Sequence, residues 1–190
     1  MKFFEKIRTK IEQILAEYPI FQYGFLDISE IEFKEEVRHI CKQECERYNT
    51  SWSCPPAVGT VKECRERCEN YEKALLFTTL AEVSDISNMK ETLATRREHE
   101  EIVHGICREL DAAGLERLAL SSDSCAICES CSWPEVPCRH PDEMMPCIES
   151  YGILVTSAAE KLSMDFFYDS RTVVWYGMIF LRASGHAEAR

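Results

Sequence analysis

A mixed fold, α/β or α+β, with a central sheet flanked by helices in one compact domain, is predicted by three features of the sequence. Its 190 residues suffice for one core without splitting into two. Apolar residues at 45% and charged residues at 29% match an ordinary folded chain. Segments of helical periodicity alternate with short runs of β-branched and aromatic residues, the pattern of helices interleaved with strands.

Phe3, Phe4, Ile7, Ile11, Ile14, Leu15 and Tyr18 recur at three- and four-residue spacing, which predicts a first helix that Pro19 ends. A short strand follows at Tyr23–Ile28. Helical periodicity returns over Phe33–Tyr48 and sets Cys41 and Cys45 one turn apart on one face. Asn49–Gly59, with Trp52, Pro55, Pro56 and Gly59, reads as a rigid loop, after which Thr60 caps a helix running to about Tyr71. Ala74–Leu80 is a strand, followed by a long polar helix from about Asp85 to Ala113 that Gly114 closes; together they make one β-α unit. Arg117–Ser121 is a further strand and delivers the chain into Cys125–Cys147, a loop by its five cysteines and four prolines. Thr156–Met164 reads as a short helix and Arg171–Arg182 as a long strand. No internal repeat or linker divides the chain, so residues 1–190 form a single domain with cysteine-rich loops at about 41–68 and 125–147.

Acidic residues outnumber basic ones by 33 to 22, and the net charge of −11 excludes a phosphate backbone or anionic membrane as the main partner. A cationic protein fits better. The N-terminal residues alternate charged and apolar types, unlike a signal peptide, and Thr172–Leu181 is too short to span a bilayer. A soluble, cytoplasmic protein is expected. In that reducing compartment, eleven cysteines, an odd count, suit metal ligation better than a disulfide framework.

The strongest signal is C-x2-C-x2-C-x6-C at Cys125, Cys128, Cys131 and Cys138, followed by Arg139, His140 and Pro141. A cubane has four irons that each want a thiolate, and a cysteine at every third residue can wrap neighbouring corners. Zinc on four cysteines is the alternative, although its usual pattern is two C-x2-4-C pairs separated by a longer spacer. A second constellation comprises Cys41, Cys45, Cys54, Cys64 and Cys68. Cys41, Cys45, Cys54 and Cys64 are the expected ligands, with Cys68 left out. Pro55 and Pro56 fix the backbone beside Cys54, and Trp52 shields that metal from water. The plainer reading of these five is a set of buried thiols acting as small hydrophobes. Cys107 and Cys147 read as core or loop thiols, and His140 as a residue behind the ligands. His99 and His104 stand five residues apart, one too many for a zinc-protease helix. No nucleotide-loop or nucleophile-elbow motif is present.

Cys41, Cys45 and Tyr48, then Trp52-Ser53-Cys54-Pro55-Pro56-x-x-Gly59 and Cys64, then Cys125-x2-Cys128-x2-Cys131 leading to Pro137-Cys138-Arg139-His140-Pro141, and finally Pro146, Glu149 and Tyr151-Gly152-Ile153 carry a resemblance. Over about Phe33 to Leu181 the chain resembles the bacterial and archaeal family of predicted metal-binding proteins, domain of unknown function 2284. The resemblance implies a metal site built on these cysteines, and it departs from the family's pattern at Cys147, where a small hydroxyl residue is expected.

Three functions follow as expectations. The first is a redox protein with two [4Fe–4S] clusters, passing single electrons to a protein partner. The second is an enzyme whose cluster has an iron open to substrate, acting as a Lewis acid. The third is a zinc-stabilised interaction module.

Overall fold

The computed structural model describes residues 2–183. Its elements are α1 (Lys2–Leu15), β1 (Gln22–Asp27), α2 (Glu35–Glu44), α3 (Val61–Cys68), β2 (Lys73–Glu82), α4 (Met89–Ala112), β3 (Leu115–Leu120), α5 (Val155–Lys161) and β4 (Thr172–Ala183), with a 3-10 turn at Glu149–Tyr151. The four strands form one sheet in the order β1-β2-β4-β3, every neighbouring pair antiparallel, so the class is α+β. The expected β-α unit is present as β2-α4-β3, but β4 lies between its two strands, which share a direction because each opposes β4.

Alternation along the strands sorts the core into two layers. Leu75 and Phe77 of β2 with Ile179 and Leu181 of β4 pack against Ile11, Ile14 and Leu15 of α1 and Val103, Ile106 and Leu110 of α4. Leu76 of β2 with Met178 and Phe180 of β4 face the other way, onto Ala158 and Ala159 of α5, Tyr151, Ile153, and Cys64 and Cys68 of α3. The side chains of Phe3 and Phe4, expected in the α1 stripe, lie outside the described residues.

Two predicted helices are shorter than their periodicity suggests. α2 stops at Glu44, with Cys45 already extended at φ −90°, ψ 119°, and a turn through Asn49 at φ 59° follows. Cys45 is therefore not one helical turn from Cys41. α4 begins at Met89 because the Asn88 side chain accepts from the Glu91 N–H, which leaves Asp85–Ser87 as a turn. Thr60 caps α3 as expected, in a reciprocal box with Glu63. Among the described residues no helix is long and apolar enough to cross a membrane.

His99 of α4 is buried between the helix and the sheet, 2.8 Å from Thr79 Oγ1 and 3.1 Å from the Tyr176 carbonyl. Burial pushes its pKa down to about 4, from an ordinary value of 6.5. The unfolded chain thus binds a proton that the native state refuses between those two pH values. Stability from this residue is full above pH 6.5 and is lost as the pH falls toward 4, a total of about 3 kcal/mol. Urea unfolding at stepped pH is expected to show that slope for the native sequence and to lose it in His99→Asn; an equal slope in both would assign the effect to other groups.

Candidate metal centre

β3 ends at Leu120, and the long loop that follows is tied at both ends to one residue. The Ser121 N–H donates to the Pro146 carbonyl (2.9 Å), and the Ile148 N–H donates to the Ser121 carbonyl (3.0 Å), so Ser121 and Cys147 lie side by side as a parallel bridge. The residues between have few backbone bonds of their own, and a loop of that length in a small domain is the kind that carries function.

The loop is fixed from outside by the segment Asn49–Pro56. Ser51, Ser53 and Ser124 form a buried hydroxyl cluster with oxygens 2.9 to 3.2 Å apart. The Cys125 N–H donates to Ser53 Oγ at 2.9 Å. Trp52 Nε1–H donates to the Val136 carbonyl (3.1 Å), Trp133 Nε1–H donates to Asn49 Oδ1 (3.0 Å), and the two indoles meet edge to face with centroids 4.6 Å apart. The two cysteine-rich loops are thus one interlocked unit. Trp52 clasps the second loop and lines the cavity there.

Cys125, Cys128, Cys131 and Cys138 all line one cavity of about 270 Å³, with Trp52, Ser53, Ser124, Arg96, Arg139 and His140 also on its wall. That volume is roughly twenty times what one water needs. Burial pushes the Cys125 thiol up to about 11, and the charges of Glu100, Cys138 and Cys128 add to the shift. Positive charge comes from Arg96 of α4, only 7% exposed. It is ion-paired with Asp123, while its Nε is buried with no hydrogen-bond partner among the described residues, Glu100 Oε1 standing 3.6 Å away. A crowd of thiols around a void fits a group that takes thiolates as ligands, and the buried guanidinium favours the net negative charge those thiolates bring.

The first constellation is divided. Cys64 is fully buried in the core layer under the sheet. Arg67 Nη2 lies 3.1 Å and Arg38 Nη1 4.0 Å from its sulfur, which itself points to the Val58 carbonyl at 3.5 Å. Burial raises its pKa, and the two guanidinium groups oppose that shift. Cys68 is also in this layer. Cys41 and Cys45 instead line a different pocket, of about 560 Å³, together with Cys147. Cys41 Sγ lies 4.0 Å from the Glu149 carbonyl, and Cys147 Sγ lies 2.7 Å from Glu149 Oε2. Burial pushes Cys41 up to about 11, with Cys45, Glu149 and Cys54 contributing, and burial with Glu149 also raises Cys147. Cys54 is buried, with its sulfur 3.8 Å from Ser53 Oγ. Cys107 lies in the core beside α1, as expected. Among the described residues no three His, Cys, Asp or Glu side chains converge on one point as they would around a single ion.

Fold and site define a cysteine-rich, predicted metal-binding protein of α+β class. Residues 24–181 match the model of the predicted metal-binding protein family DUF2284, and the chain belongs to that family. No curated protein and no solved structure matches it.

Ser53 joins the two loops through the Ser124 hydroxyl and the Cys125 N–H. Ser53→Ala removes both bonds, and the expected loss is about 1 kcal/mol in urea unfolding of the metal-free protein. The tryptophan fluorescence of Trp52 and Trp133 should change with it; an unchanged midpoint would mean that the hydroxyl cluster does not hold the loop.

Proposed function

We propose that the protein is an iron–sulfur redox protein, with a [4Fe–4S] cluster on Cys125, Cys128, Cys131 and Cys138, that passes single electrons to a protein partner. The observation that carries this reading is the single cavity lined by all four cysteines. A tetrahedral zinc ion draws its four sulfurs to about 2.3 Å from one centre, whereas a cubane meets each thiolate at a separate iron and needs room between them. Such a cluster supplies reversible one-electron chemistry when bound. Four thiolates leave none of its irons open, which suits electron transfer better than substrate activation.

The chain's own contribution is to hold and tune. Ser53 fixes the backbone at Cys125, Trp52, held edge to face by Trp133, forms part of the cavity wall, and Arg96 provides a fixed counter-charge. His140 and Arg139 on the cavity wall are candidates to donate hydrogen bonds toward a cluster. The net charge of −11 supports a cationic redox partner, whose encounter should slow as salt rises. Eleven free thiols fit a reducing compartment such as the cytoplasm.

Anaerobic purification followed by iron, zinc and acid-labile sulfide analysis tests the reading. A brown protein is expected, and Cys131→Ala should lose about four irons with their sulfides. Cys107→Ala should keep its full content. Stoichiometric zinc without sulfide would overturn the proposal.

A further inference from the structure

The pocket bordered by Cys41, Cys45 and Cys147 is separate from the four-cysteine cavity, and its walls differ in kind. Its volume of about 560 Å³ lies within the range of small-molecule sites, roughly 300–1,000 Å³. α2 supplies Val37 and Ile40, the segment entering α5 supplies Ile153, β4 supplies Val174 and Tyr176, and Phe166 comes from the segment between α5 and β4. The Phe166 ring stacks on that of Tyr176 with centroids 5.3 Å apart. Ile40 and Phe166 are 55% and 51% exposed, so apolar surface stands in water here that the body of a ligand would bury. Burial raises Cys41 to about 11 and, with Glu149, raises Cys147, so both thiols are neutral near neutral pH and extend the apolar wall.

The charge on this wall is of one sign. Among the described residues that line it stand the carboxylates of Asp123 and Glu149, and no Lys, Arg or His. Asp123 is already ion-paired with Arg96. Glu149 Oε2 instead accepts from the Cys147 thiol at 2.7 Å, and a neutral thiol leaves the charge of the carboxylate in place. The turn Glu149–Tyr151 packs on α2, with Arg38 donating to the Ser150 carbonyl, and so holds Glu149 at the pocket.

We infer that this pocket binds a small organic amine, its ammonium on the Glu149 carboxylate and its alkyl or aryl body against Ile40, Val174, Phe166 and Tyr176. The inference does not depend on the cluster proposed above. An ammonium gives Glu149 charge-assisted hydrogen bonds in surroundings that are otherwise apolar, where they are stronger than in open water. An anion would be repelled by both carboxylates, and a neutral ligand would leave Glu149 without a counter-charge. Apolar walls then reward a hydrocarbon body. Association is by charge and burial alone, and no covalent bond forms or breaks.

Calorimetric titration of the anaerobically purified full chain tests this, in about 0.15 M salt to screen the general attraction of an acidic protein for cations. n-Hexylammonium is expected to bind about tenfold tighter than n-hexanol and about a hundredfold tighter than methylammonium, while hexanoate gives no heat. Glu149→Gln, whose amide oxygen can still accept from Cys147, should weaken n-hexylammonium by about tenfold and leave n-hexanol unchanged. Phe166→Ala changes an exposed side chain and should weaken both hexyl ligands, which keeps the test open if the Glu149 variant does not fold. Equal affinity for n-hexylammonium and n-hexanol, or equal affinity of the native chain and Glu149→Gln for n-hexylammonium, overturns the inference. Equal affinity for n-hexylammonium and methylammonium would reduce the effect to surface charge and overturns it too. Tighter binding of N-acetyl-lysine methylamide than of n-hexylammonium would assign the pocket to a lysine of a protein partner and overturn the small amine. Stoichiometric zinc would overturn the proposed function and leave these expected affinities standing.

Discussion

The pairing of β4 between β2 and β3 is the constraint on which the rest of the structure depends. Thr172–Ala183 comes last of the strands in sequence, yet it fills the gap between two strands joined by α4, with ten residue pairs on the β2 side and six on the β3 side. Both core layers use its alternating side chains, Ile179 and Leu181 toward α1 and α4, Met178 and Phe180 toward α3 and α5. Gly177 sits opposite Phe77, where an added Cβ would stand 2.4 Å from the ring, so the close approach needs a residue without a side chain. Fixing β3 in turn fixes Ser121, and Ser121 holds both ends of the long cysteine loop. A contact this distant in sequence forms only after loop-closure entropy is overcome, which ties the order of the site to completion of the sheet.

Thiols and charge then set what the site can hold. Burial, with neighbouring charges, raises the Cys41 and Cys125 thiols, so without a metal these two stay protonated near neutral pH. Ligation must therefore displace protons, and the free energy of ligation feeds into the ordering of a loop with little backbone pairing. Arg96 fits the same logic. A guanidinium that buried is costly unless compensated, and Asp123 and Glu100 compensate it only in part, since its Nε finds no hydrogen bond among the described residues. Negative charge in the neighbouring cavity would complete its surroundings.

The two thiol groups sit on opposite sides of a thin wall. Ser124 and Cys125 face the four-cysteine cavity, while Ser122 and Asp123 face the apolar pocket. Asp123 has φ 59°, a left-handed conformation that an Asp side chain tolerates, and the sharp reversal there lets consecutive residues serve different spaces. Arg96 and Asp123, ion-paired to each other, line one space each, so they couple the two sides directly.

The amino-acid sequence by itself determined the element types, their order, the single domain and the metal-binding family, because hydrophobic periodicity, capping residues and cysteine spacing are local properties. Thr60 as a cap, and the three cysteines at every third residue from Cys125, were legible for that reason. Spacing also grouped Cys41, Cys45, Cys54 and Cys64, and only the tertiary structure separated Cys64 from Cys41 and Cys45. A cysteine on an amphipathic helix points wherever the helix packs, and α3 turns Cys64 into the core. That Cys147 lines one pocket with Cys41 and Cys45 depends on the Ser121 bridge and on the packing of Glu149–Tyr151 against α2. Those are contacts between segments distant in the chain, and no local pattern encodes them.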